Sequence, residues 1–183
     1  MGGSSEVARV VSDAARLVRQ GEIVVFGSSA LAFWMQNPPA SRDVDVWCTP
    51  TERGHAVDAL MGELSWYHET HGMFVEVWAP ETFAAPLRWR DRARTLTMAE
   101  HAGVTIVLPH PHDVLMAKLE RMEPKDREHM RAILGEYPLT GQRLDELVAE
   151  TPHRRGEIRA TDRAIRFEHG LAELRALLAR AGS

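Results

Sequence analysis

VVFGSSALAFWMQNPPASRDVDVW, residues Val24 to Trp47, holds two short apolar runs, a small-residue turn after the first and two aspartates inside the second. Val24, Val25 and Phe26 read as a buried strand. Gly27, Ser28 and Ser29 can form a tight turn that exposes backbone N–H groups. Ala30 to Gln36 is apolar enough for a buried helix. Asn37-Pro38-Pro39 ends it, because proline lacks an N–H and clashes with the preceding turn. Asp43-Val44-Asp45-Val46-Trp47 then reads as a strand. Side chains alternate in a strand, so Asp43 and Asp45 leave on one face and Val44 and Val46 on the other. Paired carboxylates repel each other. A cation offsets that repulsion, and oxygen ligands suit Mg²⁺ or Mn²⁺.

The rest of the chain supplies the frame. Its 183 residues suffice for one large domain, or a domain with a helical tail. Hydrophobic residues make up 44% and charged residues 26%, as in soluble globular proteins. A net charge of −4 argues against a protein that coats nucleic acid. Cys48 is the single cysteine, which excludes an internal disulfide and a cysteine-based zinc site. It suits a reducing compartment, and a cytoplasmic location is expected. No apolar run nears the roughly 20 residues of a membrane span. The start, MGGSSEV, lacks a basic-then-apolar signal pattern, and Gly2 to Ser5 read as a flexible end.

Ser5 can cap a first helix running to about Gln20, with Val7, Val10, Val11, Ala14, Leu17 and Val18 on one face. After Trp47, Thr49 or Thr51 can cap a helix whose apolar stripe is Ala56, Val57, Leu60, Met61 and Leu64. Trp66 to Trp78 reads as a hairpin turning at His71-Gly72. In its second strand Phe74, Glu76 and Trp78 share a face. A Glu inside an otherwise apolar strand is unusual, since an unpaired buried carboxylate is costly. Two further strands are expected at Ala93–Met98 and Val104–Leu108. Helices follow from Asp113, after Pro124, near Thr140 and from Asp162.

Gly27-Ser28, the Asp43-x-Asp45 pair and the strand residue Glu76 occur in that order. Together they resemble the active-site pattern of the polymerase-β-like nucleotidyltransferase superfamily. The resemblance extends to Asp113-Val114-Leu115-Met116-Ala117-Lys118-Leu119 and Lys125-Asp126. These are similar to a helical motif of a bacterial branch that includes abortive-infection-type toxins. It covers about Val24 to Leu134. Two departures stand out: Asn37-Pro38-Pro39 lengthens the segment before Asp43, and His129 stands where relatives often carry an acid.

The resemblance implies an α/β (α+β) fold: a small mixed sheet flanked by helices over residues 1–108, then an all-helical subdomain over 109–183. It implies an enzyme that uses two divalent metal ions to move a nucleoside monophosphate from an NTP to an acceptor hydroxyl of a protein, a tRNA or a small molecule. Asp43, Asp45 and Glu76 would be the catalytic residues and the ligands of Mg²⁺ or Mn²⁺. Gly27, Ser28, Ser29, Arg42 and Lys118 would bind the nucleotide. A role as the toxin of a toxin–antitoxin pair, with a cognate antitoxin as partner, comes with the same branch. The opposing reading is a catalytically inactive binding or antitoxin module with this fold.

Other features have plainer readings. His110-Pro111-His112 follows Pro109 and contains Pro111, and reads as loop and capping residues. His68 and His71 are expected to be exposed. Lys118 can equally be a solvated helix residue, and Asp126 a helix-start residue favoured by the dipole. Arg88, Arg90, Arg92 and Arg94 read as a solvated rim, or as a phosphate or RNA patch with Trp89 stacking on a base.

Overall fold

A computed structural model describes residues 4–181. The elements run α1 (Ser4–Val18), β1 (Gly21–Val25), α2 (Gly27–Leu31), β2 (Asp43–Thr49), α3 (Glu52–Met61), α4 (Trp66–His71), β3 (Phe74–Val77), α5 (Trp89–Arg92), β4 (Arg94–Thr97), β5 (Val104–Leu108), α6 (Pro111–Lys118), α7 (Pro124–Glu136), α8 (Gly141–Ala149) and α9 (Thr161–Ala181). Short 3-10 turns cover Pro80–Thr82 and Ala99–His101. The chain groups into two compact units, Met1–Thr82 with Ala93–Pro109, and Phe83–Arg92 with His110–Ser183.

In the first unit the strands form one mixed sheet in the order β3-β2-β1-β5-β4. β1 runs antiparallel to β2 and parallel to β5, β2 runs parallel to β3, and β4 runs antiparallel to β5. Alternation then sorts the side chains. Ile23, Val25, Val44, Val46, Cys48, Val75, Val104, Ile106 and Leu108 fall on one face and are all buried. They form one core with Val7, Val10, Val11, Ala14 and Val18 of α1 and with Val57 and Met61 of α3. Each such aliphatic side chain contributes about 1.5–3 kcal/mol on burial. The other face carries Asp43, Asp45 and Trp47 of β2 and Glu76 of β3.

The second unit is helical. Its buried set includes Leu115, Met116, Leu119, Met130, Ile133, Leu144, Leu147, Phe167, Leu171 and Leu174. Gly170 lets α9 pass close to the end of α6: a Cβ there would stand 2.2 Å from the Leu119 carbonyl oxygen. Among the described residues no helix is long and apolar enough to cross a membrane.

Several expectations change. The hairpin at Trp66–Trp78 is a helix followed by a single strand. Ser65 caps α4 by accepting the His68 N–H, and Gly72, in the left-handed conformation, ends it. The glycine read as a hairpin turn is a helix terminator, since both need positive φ. β3 consequently pairs parallel with β2. The helix expected from Ala30 to Gln36 begins at Gly27 and ends at Leu31, continuing only as a turn. α1 begins at Ser4, so Ser4 and Ser5 are helical, while Gly2 and Gly3 lie outside the described residues. It ends at Val18, where Arg19 turns to positive φ. Ala56, Leu60 and Leu64 are exposed, not part of the α3 stripe. His68 and His71 are partly buried against Phe74 and Tyr67. α6 starts at Pro111, and His110 caps it with its own ring nitrogen.

Candidate functional site

Each carboxylate reaches the open sheet face for a local reason. β2 alternates Asp and Val, and the core-facing valines fix its orientation. A one-residue slip would bury both aspartates among aliphatic side chains. In the β2–β3 ladder Asp45 pairs with Glu76 and Asp43 with Phe74. Directly paired residues share a face. Asp43, Asp45 and Glu76 therefore stand on one face, on two adjacent strands, and all three are half-buried.

The turn after β1 abuts this acidic face. The Phe26 N–H donates to the Asp45 carbonyl at 3.0 Å, extending the β1–β2 pairing to the start of α2. Gly27 has φ +63°, and a Cβ there would stand 2.2 Å from Asp45 Oδ2. Glycine is required twice over, for its backbone conformation and for the space the carboxylate occupies. Ser29 is buried and donates to the Phe26 carbonyl at 2.9 Å, so its hydroxyl closes the turn.

Ser41 holds Asp43 and Trp78 holds Asp45. Ser41 Oγ donates to Asp43 Oδ1 at 3.1 Å. Ser28 Oγ lies 3.1 Å from Ser41 Oγ. Ser41 has one hydroxyl proton, given to Asp43, so Ser28 is the donor in that contact. Trp78 Nε1 donates to Asp45 Oδ1 at 3.0 Å. Neither Ser41 nor Trp78 stands out as a site residue in the sequence. Parity holds the missed signal: Ser41 is two residues before Asp43, and Trp78 two after Glu76.

Arg42 is exposed, between Ser41 and Asp43. Lys118 belongs to the helical unit and is only 6% exposed. Its Nζ donates to Asp126 Oδ1 at 2.7 Å, and Arg121 adds donors to both Asp126 oxygens. Asp126 also completes a capping box with Glu123 at the start of α7. Burial alone would raise its pKa, but Arg121 and Lys118 hold it well below the usual carboxylate range.

The arginine stretch divides. Arg92 reaches Asp113 and Glu150, and Arg88 pairs with Glu150, all in the helical unit. Arg90 lies over Trp89. Arg94, in the first unit, stacks over Trp34 and donates to the Phe33 carbonyl. Of these four, Arg92 is buried enough to be structural, with 18% of its side chain exposed.

Asp43, Asp45 and Glu76 are oxygen donors of the kind that suits a divalent cation. Among the described residues no group of three or more Asp, Glu, His or Cys side chains is placed to hold a metal ion by itself. A Mg²⁺ site in a nucleotide enzyme needs no such group: one or two carboxylates suffice, and substrate phosphates and water complete the shell.

No curated protein and no solved structure matches the chain. Residues 5–170, which include the sheet and most of the helical unit, match the family model described as a nucleotidyltransferase of unknown function (DUF6036), and the chain belongs to this nucleotidyltransferase family.

Proposed function

We propose that the chain is an active, metal-dependent nucleotidyltransferase that moves a nucleoside monophosphate from an NTP to an acceptor hydroxyl. The observation that carries this reading is the placement of Asp43, Asp45 and Glu76 on one face of two registered strands, with the Gly27 turn against Asp45.

Asp43, Asp45 and Glu76 would hold Mg²⁺ or Mn²⁺. When bound, the metal supplies positive charge at the α-phosphate and leaving pyrophosphate and lowers the pKa of the acceptor hydroxyl. Gly27, lacking a side chain, lets a phosphate approach the backbone. The N–H groups that open α2, that of Ser28 among them, donate to it, while the Ser28 hydroxyl holds Ser41. Ser29 acts indirectly, by holding the turn closed. Arg42 is placed to meet a triphosphate as an exposed cation beside Asp43. Glu76 accepts the proton of the acceptor hydroxyl as that oxygen attacks the α-phosphorus and pyrophosphate leaves. Lys118, bound to Asp126, stabilises the helical unit rather than serving as a mobile phosphate ligand.

The acceptor is a protein, a tRNA or a small molecule. The likeness of Asp113–Leu119 and Lys125-Asp126 to the abortive-infection-type branch favours a macromolecule and a toxin kept in check by an antitoxin.

Pyrophosphate release tests the reading. The protein is incubated with each NTP, with Mg²⁺ or Mn²⁺, and with a cell lysate as the source of acceptors. Release above background that disappears in Asp43→Ala and Asp45→Ala is the expected result. Nucleotide binding with no release under any condition would favour the inactive binding module instead.

A further inference from the structure

We propose that Trp78 and Ser41 are positioning residues, each aiming one aspartate of the pair at the bound cation. This rests on the nucleotidyltransferase reading of the site.

Each aspartate presents Oδ1 to an uncharged side-chain donor, Ser41 for Asp43 and Trp78 for Asp45. A neutral donor fixes the rotation of a carboxylate without cancelling its charge. That is what a metal ligand needs from its surroundings: ligating carboxylates are themselves hydrogen-bonded, and these outer partners set their orientation and basicity. A cationic partner would compete with the metal.

The positions of the donors support the assignment. The Trp78 N–H donates to the Val46 carbonyl at 2.8 Å, so its backbone is fixed as the last rung of the β2–β3 ladder. Alternation puts its side chain on the face of Glu76, beside Asp45. Its ring is nevertheless 43% exposed. Burial of the ring gains little there, whereas the indole N–H meets a carboxylate. Ser41 is buried and backed by Ser28, so a hydroxyl chain runs from the turn at the start of α2 to Asp43. The turn that would receive phosphate is thereby tied to the first carboxylate.

Trp78→Phe keeps the ring and removes the N–H; Ser41→Ala removes only the hydroxyl. Binding of Mn²⁺ is measured by calorimetry, alone and in the presence of an NTP analogue that cannot be cleaved at the α-phosphorus, for the wild-type protein and both variants, with thermal unfolding as the check on folding. Each variant is expected to bind Mn²⁺ about 10-fold more weakly, at the low end of the effect of removing such an outer partner. A second readout needs no variant to carry it. In ¹H–¹⁵N spectra, substoichiometric Mn²⁺ should broaden the Trp78 indole N–H before that of Trp66, which is more exposed. Broadening with no preference for Trp78 would place the cation away from Asp45 and overturn the assignment. Unchanged or tighter Mn²⁺ binding in Trp78→Phe overturns the assignment for Trp78, and the same result in Ser41→Ala overturns it for Ser41; both leave the nucleotidyltransferase reading standing. A wild-type protein that binds neither Mn²⁺ nor an NTP in its presence overturns both.

Discussion

Carboxylates are treated in opposite ways in the two units. In the helical unit Asp113 and Asp126 are fully buried, and each meets arginine or lysine at hydrogen-bond distance. On the sheet face Asp43 and Asp45 are half-buried and take hydrogen bonds from a hydroxyl and an indole. A buried carboxylate with a cation is a structural device: its removal leaves an uncompensated charge in a medium that cannot solvate it. On an open face, carboxylates that accept from a hydroxyl and an indole keep their charge available to a ligand of opposite sign. The two groups should therefore respond in opposite senses to substitution.

The largest effect is expected at Asp45. Asp45→Asn keeps the shape and removes the charge, and should lower nucleotidyl transfer by about 10³-fold, or about 4 kcal/mol of barrier. Its thermal midpoint should stay level or rise, because a like-charge contact is relieved. A large fall in stability would break the comparison. Arg92→Ala is the converse: it strands Asp113 and should lower unfolding free energy by about 3–5 kcal/mol in urea melts. Burial pushes the Asp113 carboxyl up against the opposing pull of Arg92, so the deficit should shrink at low pH, where that carboxyl protonates.

A smaller effect is expected from pH in the helical unit. Burial pushes His129 down to about 4, aided by the Lys118 charge, and His110 down to about 4. Between the ordinary histidine value and 4 the unfolded chain binds more protons than the folded one, so stability falls as pH drops through that window. The thermal midpoint should decline by several degrees from pH 7 to pH 5, and His129→Gln should flatten the slope. The smallest effect is expected for Arg88→Ala. Arg88 also pairs with Glu150, but two-thirds of its side chain is exposed, and its loss should cost less than about 1 kcal/mol. The contrast between Arg88 and Arg92 separates burial from mere ion pairing.

Much of this was legible in the sequence. The alternation at Asp43–Trp47 placed a strand with an acidic face, and the run Val104–Leu108 is a strand over those residues. Pro124 and Thr140 marked helix starts by known capping chemistry. What escaped was pairing. Nothing in Phe74–Val77 says that its partner lies some thirty residues earlier and runs parallel, because register depends on how the intervening helices pack. The parallel pairing is also what sets Glu76 opposite Asp45 and carries Trp78 to the same carboxylate. The burial of Lys118 left a readable trace: it lies three residues after Leu115 and four after Val114, on the apolar side of α6. A lysine there has to find an anion, and Asp126 is that anion.

Nucleotidyl transfer by the acidic sheet face is tested by comparing an NTP labelled at the α-phosphorus with one labelled at the γ-phosphorus, in the presence of Mn²⁺ and a lysate, for the wild-type protein and Asp45→Asn. The α-label alone should become attached to acceptor, and this attachment should be lost in Asp45→Asn. Transfer of γ-label, or α-label transfer that survives in Asp45→Asn, would contradict nucleotidyl transfer by this face.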